Sequence, residues 1–122
     1  MKLLIIDDEE DIRKVARIAL VRLGGMEVAE AVNGPEGIVA AAALKPDGIL
    51  LDVMMPGLDG PAVLERLRAD PVTATIPVIF LTAKAMGSEI ARLRSLGAAG
   101  VLIKPFDPAA LPGQVRAILV GR

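Results

Sequence analysis

The sequence predicts an α/β fold in which a five-stranded parallel sheet is covered on both faces by five helices. Three observations predict it: five short apolar runs alternate with amphipathic segments, the connections are short, and four of the runs end abruptly on polar residues. Alternation of this kind builds βαβ units, whose crossovers are right-handed. Ligands of such sheets bind beyond the carboxyl ends of the strands, where strand order reverses. Asp7, Asp8, Asp52, Thr82 and Lys104 all stand at those ends.

The first strand is read over residues 3 to 7, continuously apolar as expected when helices cover both faces. The helix after it carries Ile12, Val15, Ala16, Ala19 and Leu23 as its apolar stripe. Glu9, Glu10 and Asp11 compensate the dipole at its start, and Gly24-Gly25 stops it. Val28 to Val32 reads as an edge strand, because Glu27 and Glu30 interleave with its apolar residues. Asn33 is placed to cap the second helix, with Pro35 in its first turn and Lys45-Pro46 beyond its end.

The third strand ends at Asp52 and breaks at once into a Pro56-Gly57 turn. Asp59-Gly60-Pro61 opens the third helix, with Asp59 as its cap and Val63, Leu64 and Leu67 inward. Ile76 to Leu81 makes the fourth strand, and Ser88 is placed to cap a fourth helix ending at Gly97. Val101 to Ile103 is the fifth strand. Pro112 would remove an interior hydrogen bond from a helix begun at Pro108, so a turn is expected over Pro108 to Ala110, with Pro112 near the start of the last helix.

At 122 residues the chain suits one domain, 1–122. The 53% apolar content fills a core, yet Phe80 and Phe106 are the only aromatic residues, so Leu, Ile, Val and Ala must pack it and stacked-ring sites are not expected. With a net charge of −1 there is no basic stripe for a phosphate backbone, and direct nucleic-acid binding is not expected. Absence of Cys and His removes thiol chemistry, disulfides, and the commonest general base and metal ligand. No apolar run approaches the roughly 18 residues of a membrane span and no signal peptide is visible, so a cytoplasmic chain without membrane contact is expected.

Carboxylates, a hydroxyl and a lysine must therefore carry any chemistry. Three carboxylates in one crevice repel one another unless protons or a cation offset them. Oxygen-only ligands suit a hard divalent ion, and a shallow cleft with few of them suits Mg²⁺. With the metal and Lys104 cancelling charge, Asp52 can attack phosphorus and form an acyl phosphate. In that scheme Asp8 and Asp52 bind the metal directly, Asp7 directly or through water, and the loop after Asp52 offers a backbone carbonyl. Lys104 and Thr82 donate to phosphoryl oxygens. Singly, each has a plainer reading: Asp7 and Asp8 as helix caps, Thr82 as a strand-terminal hydroxyl, Lys104 as a solvated lysine. Their shared position at the strand ends favours one site.

The segments Ile6-Asp7-Asp8-Glu9, Leu51-Asp52-Val53-Met54-Met55-Pro56-Gly57-Leu58-Asp59-Gly60, Leu81-Thr82-Ala83 and Lys104-Pro105-Phe106 resemble the receiver domain of two-component response regulators. The spacings agree with that family: 44 residues from Asp8 to Asp52, 30 on to Thr82 and 22 on to Lys104. The resemblance implies a flavodoxin-like, doubly wound sheet of order 2-1-3-4-5. It implies phosphorylation of Asp52 by the phosphohistidine of a sensor histidine kinase or a histidine phosphotransfer protein, and Mg²⁺ held by Asp7, Asp8, Asp52 and the main-chain oxygen of Met54. It further implies Thr82 and Lys104 as a switch pair, a cis bond before Pro105, and a downstream effector protein or a homodimer as the output partner.

One position departs from the family pattern. Receiver domains usually carry an aromatic residue or His three positions before the lysine, and here it is Val101. A β-branched side chain with no ring cannot signal by swinging inward. Output through the loop from Thr82 to Ser88, or service as a phosphate carrier in a relay, follows. Arg92, Arg94 and Ala98 beside the bare Gly97-Ala98-Ala99-Gly100 turn are a candidate docking face. The alternative function is a degenerate receiver that serves only as an interaction or dimerisation module. An aspartyl phosphatase would need a second Asp two residues after the nucleophile, where Met54 stands, and a flavin carrier would not place Asp8-Glu9-Glu10 after the first strand.

Overall fold

The computed structural model describes residues 1–121 and shows this alternation throughout. Strand β1 (Lys2–Ile6) leads to helix α1 (Glu10–Ile18), which runs on through a π-helical turn over Ala19–Leu23. β2 (Glu27–Ala31), α2 (Gly34–Leu44), β3 (Gly48–Asp52) and α3 (Gly60–Ala69) follow. β4 (Val78–Thr82), α4 (Gly87–Ser95), β5 (Gly100–Ile103) and α5 (Leu111–Val120) complete the chain. All strands are parallel in the order β2-β1-β3-β4-β5. The chain thus travels from β1 outward to β2 and returns past β1 to β3. That reversal opens the crevice at the ends of β1 and β3, where Asp7 and Asp52 emerge.

Alternation along the strands divides the core in two. Leu4, Ile6, Ile49, Leu51, Val78 and Phe80 pack with Ala41, Val63, Leu64, Leu67 and Leu93 from α2, α3 and α4. On the other face Leu3, Ile5, Leu50, Ile79, Leu81 and Leu102 pack with Ala16, Ala19 and Leu20 of the first helix and Leu111 and Val115 of α5. Burial at about 1.5–3 kcal/mol per large aliphatic side chain drives both layers. β3 and β4 are buried along their whole length, which explains why they read as unbroken apolar runs.

Helix boundaries follow local chemistry. Asn33 Oδ1 accepts the Glu36 N–H at 2.8 Å, and Asp59 Oδ1 accepts the Ala62 N–H at 2.9 Å, so both act as the caps expected of them. Pro112 falls in the first turn of α5, where its missing N–H costs nothing.

Several expectations are corrected. Val15 and Leu23 do not face the core and are 40% and 64% exposed. The buried stripe centres on Ala16, Ala19 and Leu20, and Val15 lies off it. Leu23 is turned away by the π turn: the Gly24 N–H reaches back five residues to Ala19 O, and the extra residue rotates the helix end. β2 starts and stops a residue earlier than expected, leaving Val32 outside and exposed. β4 starts at Val78, since Pro77 has no N–H for a ladder. Ser88 does not cap α4. That helix begins at Gly87 behind Met86, which supplies no side-chain cap, and Ser88 lies inside its first turn.

Gly60 joins the fold to the site. Its N–H donates to Val53 O at 2.9 Å, and a Cβ there would stand 2.5 Å from Asp52 O, 2.9 Å from Val53 Cα and 3.1 Å from the Phe80 ring. Backbone atoms cannot move aside as a flexible side chain would. Gly60→Ala is expected to destabilise the protein by about 1–3 kcal/mol. Gly113→Ala, in open space within α5, is expected to stabilise it by up to about 1 kcal/mol. Urea unfolding of the pair checks both signs.

Candidate functional site

Each polar residue at a strand end is delivered by the apolar run before it. Asp7, Asp52 and Thr82 are buried, with relative exposures of 0%, 4% and 2%, while Asp8 lies exposed at the rim. β5 brings Lys104 alongside, and the Lys104 N–H donates to Thr82 O at 2.7 Å. The Lys104 side chain, 10% exposed, puts Nζ 2.9 Å from Asp7 Oδ2, 3.1 Å from Asp52 Oδ1 and 3.3 Å from Glu9 Oε1. The Lys104-Pro105 peptide bond is cis.

One carboxylate oxygen from each of Asp7, Asp8, Glu9 and Asp52 lies within 4.8 Å of the other three. Four carboxylates against one ammonium leave an excess of negative charge that a divalent cation would offset. Asp7 Oδ1 accepts the Glu9 N–H at 2.9 Å. Asp7 Oδ2 is buried and pairs with Lys104 by charge, without the alignment of a hydrogen bond, so it retains a lone pair for a further partner. The all-oxygen donor set fits a hard ion such as Mg²⁺.

Glu9, expected from the sequence only to compensate the helix dipole, also joins the site. It stands at the N-terminal cap position of α1 without capping it. The bond from its own N–H to Asp7 Oδ1 folds it back toward Lys104. An Asp followed two residues later by an acid, between a strand and a helix, is the signal that would have found it. Thr82 Oγ1 accepts the Lys84 N–H at 3.1 Å and so faces its own loop. Met54 is 68% exposed, and its backbone stands beside the Asp52 carboxyl. On α4, Arg92 pairs with Glu89 at 2.8 Å, and Arg94 is exposed.

Burial, and then the charge of Asp7, push the Asp52 carboxyl up to about 6, against the opposing pull of Lys104 and the Met54 backbone. Burial alone would lower Lys104, but pairing with Asp7 and Asp52 outweighs it and raises the ammonium above its usual range. An acid whose folded pKa is raised holds its proton more tightly in the native state. Its contribution to stability is therefore present below the ordinary value of 3.8 and lost as pH rises through about 6. In chelator, the Asp52 carboxyl is expected to add about 1–2 kcal/mol of stability on going from pH 7 to pH 4, once solvent screening is allowed for. Urea midpoints referenced to Asp52→Asn isolate that contribution. Excess Mg²⁺, binding the native state alone, is expected to restore stability at pH 7.

Comparison with known proteins agrees with this fold. The sequence profile described as response regulator receiver domain matches residues 3–116. The chain is 42% identical over 118 residues to the DNA-binding dual master transcriptional regulator RpaA of Synechocystis, covering 97% of this chain and 48% of that protein. It is 40% identical over 119 residues to the phosphate regulon transcriptional regulatory protein PhoB of Pseudomonas aeruginosa, covering 96% and 51%. It thus spans about half the length of the curated relatives it matches. Among solved structures, a putative response regulator from Chloroflexus aurantiacus superposes with a TM-score of 0.88 at 34% identity, covering 98% of this chain and 97% of that one. The chemotaxis protein CheY4 of Vibrio cholerae gives 0.87 at 28% identity, covering 96% and 97%. Strand order, helix placement and sequence agree, and the chain belongs to the response regulator receiver domain family of two-component signalling, with its flavodoxin-like fold.

Proposed function

We propose that this chain is one receiver unit, 1–122, that takes a phosphoryl group onto Asp52 from the phosphohistidine of a sensor kinase or a phosphotransfer protein. The observation that carries it is Lys104 Nζ held between Asp52 Oδ1 at 3.1 Å and Asp7 Oδ2 at 2.9 Å inside a cluster of carboxylates. An Asp52 oxygen attacks phosphorus, the phosphorus–nitrogen bond of the donor breaks, and the imidazole leaves with the bonding pair and takes up a proton. Lys104 then pairs with a phosphoryl oxygen by a charge-assisted hydrogen bond. Thr82 turns its hydroxyl from Lys84 to another. Asp7, Asp8, Asp52 and the main-chain oxygen of Met54 would hold Mg²⁺, which neutralises the charge gathering on the transferred group.

Val101 is half-buried beside the core layer containing Phe80, with no ring to move. The output we infer therefore runs through the exposed segment Ala83–Ser88, which Thr82 begins, toward an effector protein or a second copy, or the phosphoryl group passes to a further carrier. The net charge of −1 supports contact with protein partners and none with nucleic acid. Among the described residues no helix is long and apolar enough to cross a membrane, in keeping with a cytoplasmic role.

Incubation with Mg²⁺ and acetyl phosphate, followed by intact mass, tests this function. One adduct of roughly 80 Da, absent in chelator, is expected for a single phosphoryl group. No adduct would leave the interaction module as the better account.

A further inference from the structure

We infer that Arg13 is a positioning residue for the acidic site, oriented by Glu30, and that it fixes the Asp7 peptide so that the carboxylates of Asp7 and Asp8 meet a divalent cation. This rests on the proposed cation site and adds to it a device built from α1 and the edge strand β2.

The Asp7 peptide lies just beyond β1, whose pairing with β3 ends at Ile6 and Leu51. Its N–H still reaches β2, donating to Ala31 O at 3.2 Å, but its carbonyl lies past the β3 ladder. Arg13 Nη1 donates to that carbonyl at 2.8 Å. Asp7 is thereby held at every polar atom: N–H by Ala31, carbonyl by Arg13, Oδ1 by the Glu9 N–H and Oδ2 by the charge of Lys104.

The placement of Arg13 breaks a local rule. It lies near the start of α1, where the helix dipole disfavours a cation, while its neighbours Glu10 and Asp11 obey that preference. Its side chain is nonetheless only 12% exposed. Glu30 holds it there: Glu30 Oε1 accepts from Arg13 Nε at 3.2 Å, and Oε2 accepts from Arg17 Nη1 at 2.9 Å. The guanidinium is planar, so holding Nε restricts where Nη1 can point, and it points at the Asp7 carbonyl. Partners behind a metal site that fix its ligands commonly matter about 10-fold or more in metal affinity.

The experiment measures two quantities in the whole chain, at a temperature where circular dichroism shows every variant folded: the Mg²⁺ dissociation constant by calorimetry, and hydrogen exchange at the Glu9 amide by NMR. Arg13→Met is expected to weaken Mg²⁺ about 10-fold and to speed Glu9 exchange. Glu30→Gln is expected to fall between it and the wild type. Arg13→Lys, which keeps a cationic donor, is expected to recover part of both. Arg17→Met, which removes only the outer partner of Glu30, is expected to change neither. Wild-type values for Arg13→Met in both measurements overturn the inference, and so does an equal change in Arg17→Met, which would mark general loosening of α1. If the wild type binds no Mg²⁺, the cation site itself fails, and Glu9 exchange alone decides whether Arg13 positions Asp7.

Discussion

Asp52→Asn is expected to abolish phosphoryl uptake while making the metal-free protein more stable at pH 7. The amide keeps the shape of the side chain but has no anionic oxygen to attack phosphorus, so the adduct of roughly 80 Da should be absent at any acetyl phosphate concentration. Stability moves the other way, because the carboxylate is nearly buried beside Asp7 and its proton is held up to about pH 6. Removing its charge relieves repulsion that Lys104 only partly offsets. A gain of about 1–2 kcal/mol in chelator at pH 7 is expected, shrinking toward pH 4 where the wild-type carboxyl is protonated. Intact mass and urea unfolding read the two effects separately. A variant that lost both activity and stability would contradict the electrostatic account of the site.

Lys104→Met is expected to destabilise the protein strongly. Lys104 is the one cation among the described residues in contact with the buried carboxylates of Asp7 and Asp52. Methionine fills much of the same space, so the loss is chiefly electrostatic. Leaving buried carboxylates without their partner is expected to cost about 3 kcal/mol at pH 7. The sign with pH follows from linkage: the variant's deficit should narrow as pH falls and Asp52, already raised to about 6, takes up its proton. Excess Mg²⁺ should recover part of the lost stability but not the rate of phosphoryl uptake, since the pairing with a phosphoryl oxygen is gone. Urea midpoints at pH 4 and pH 7, with and without Mg²⁺, check this. A variant equally destabilised at both pH values would show that Lys104 acts through packing instead.

Most of the fold was legible because strand runs, caps and breakers agree with one another. Asn33 and Asp59 read as caps and are caps, since a side-chain oxygen three residues before a free N–H is a local relationship that the chain displays directly. Val15, Leu23 and Ser88 were misplaced for the opposite reason. Their environments depend on a π turn and on where a helix starts against its neighbours, and no periodicity within one segment reports these. At the site, Asp7, Asp52 and Lys104 were visible because each closes an apolar run, and the fold brings them together. Glu9 and Arg13 were hidden because they act from a loop and a helix flank, through bonds to Lys104 and to a backbone carbonyl far away in sequence or across elements.

The close seat of Gly60 gives the pocket a mechanical asymmetry. On one flank the start of α3 lies hard against the Asp52 carbonyl and Val53, so that side behaves as a stiff wall. On the other flank Ala83 to Ser88 stand in solvent. Under the proposed function, movement at a phosphorylated aspartate would be taken up on the exposed flank, beside α4.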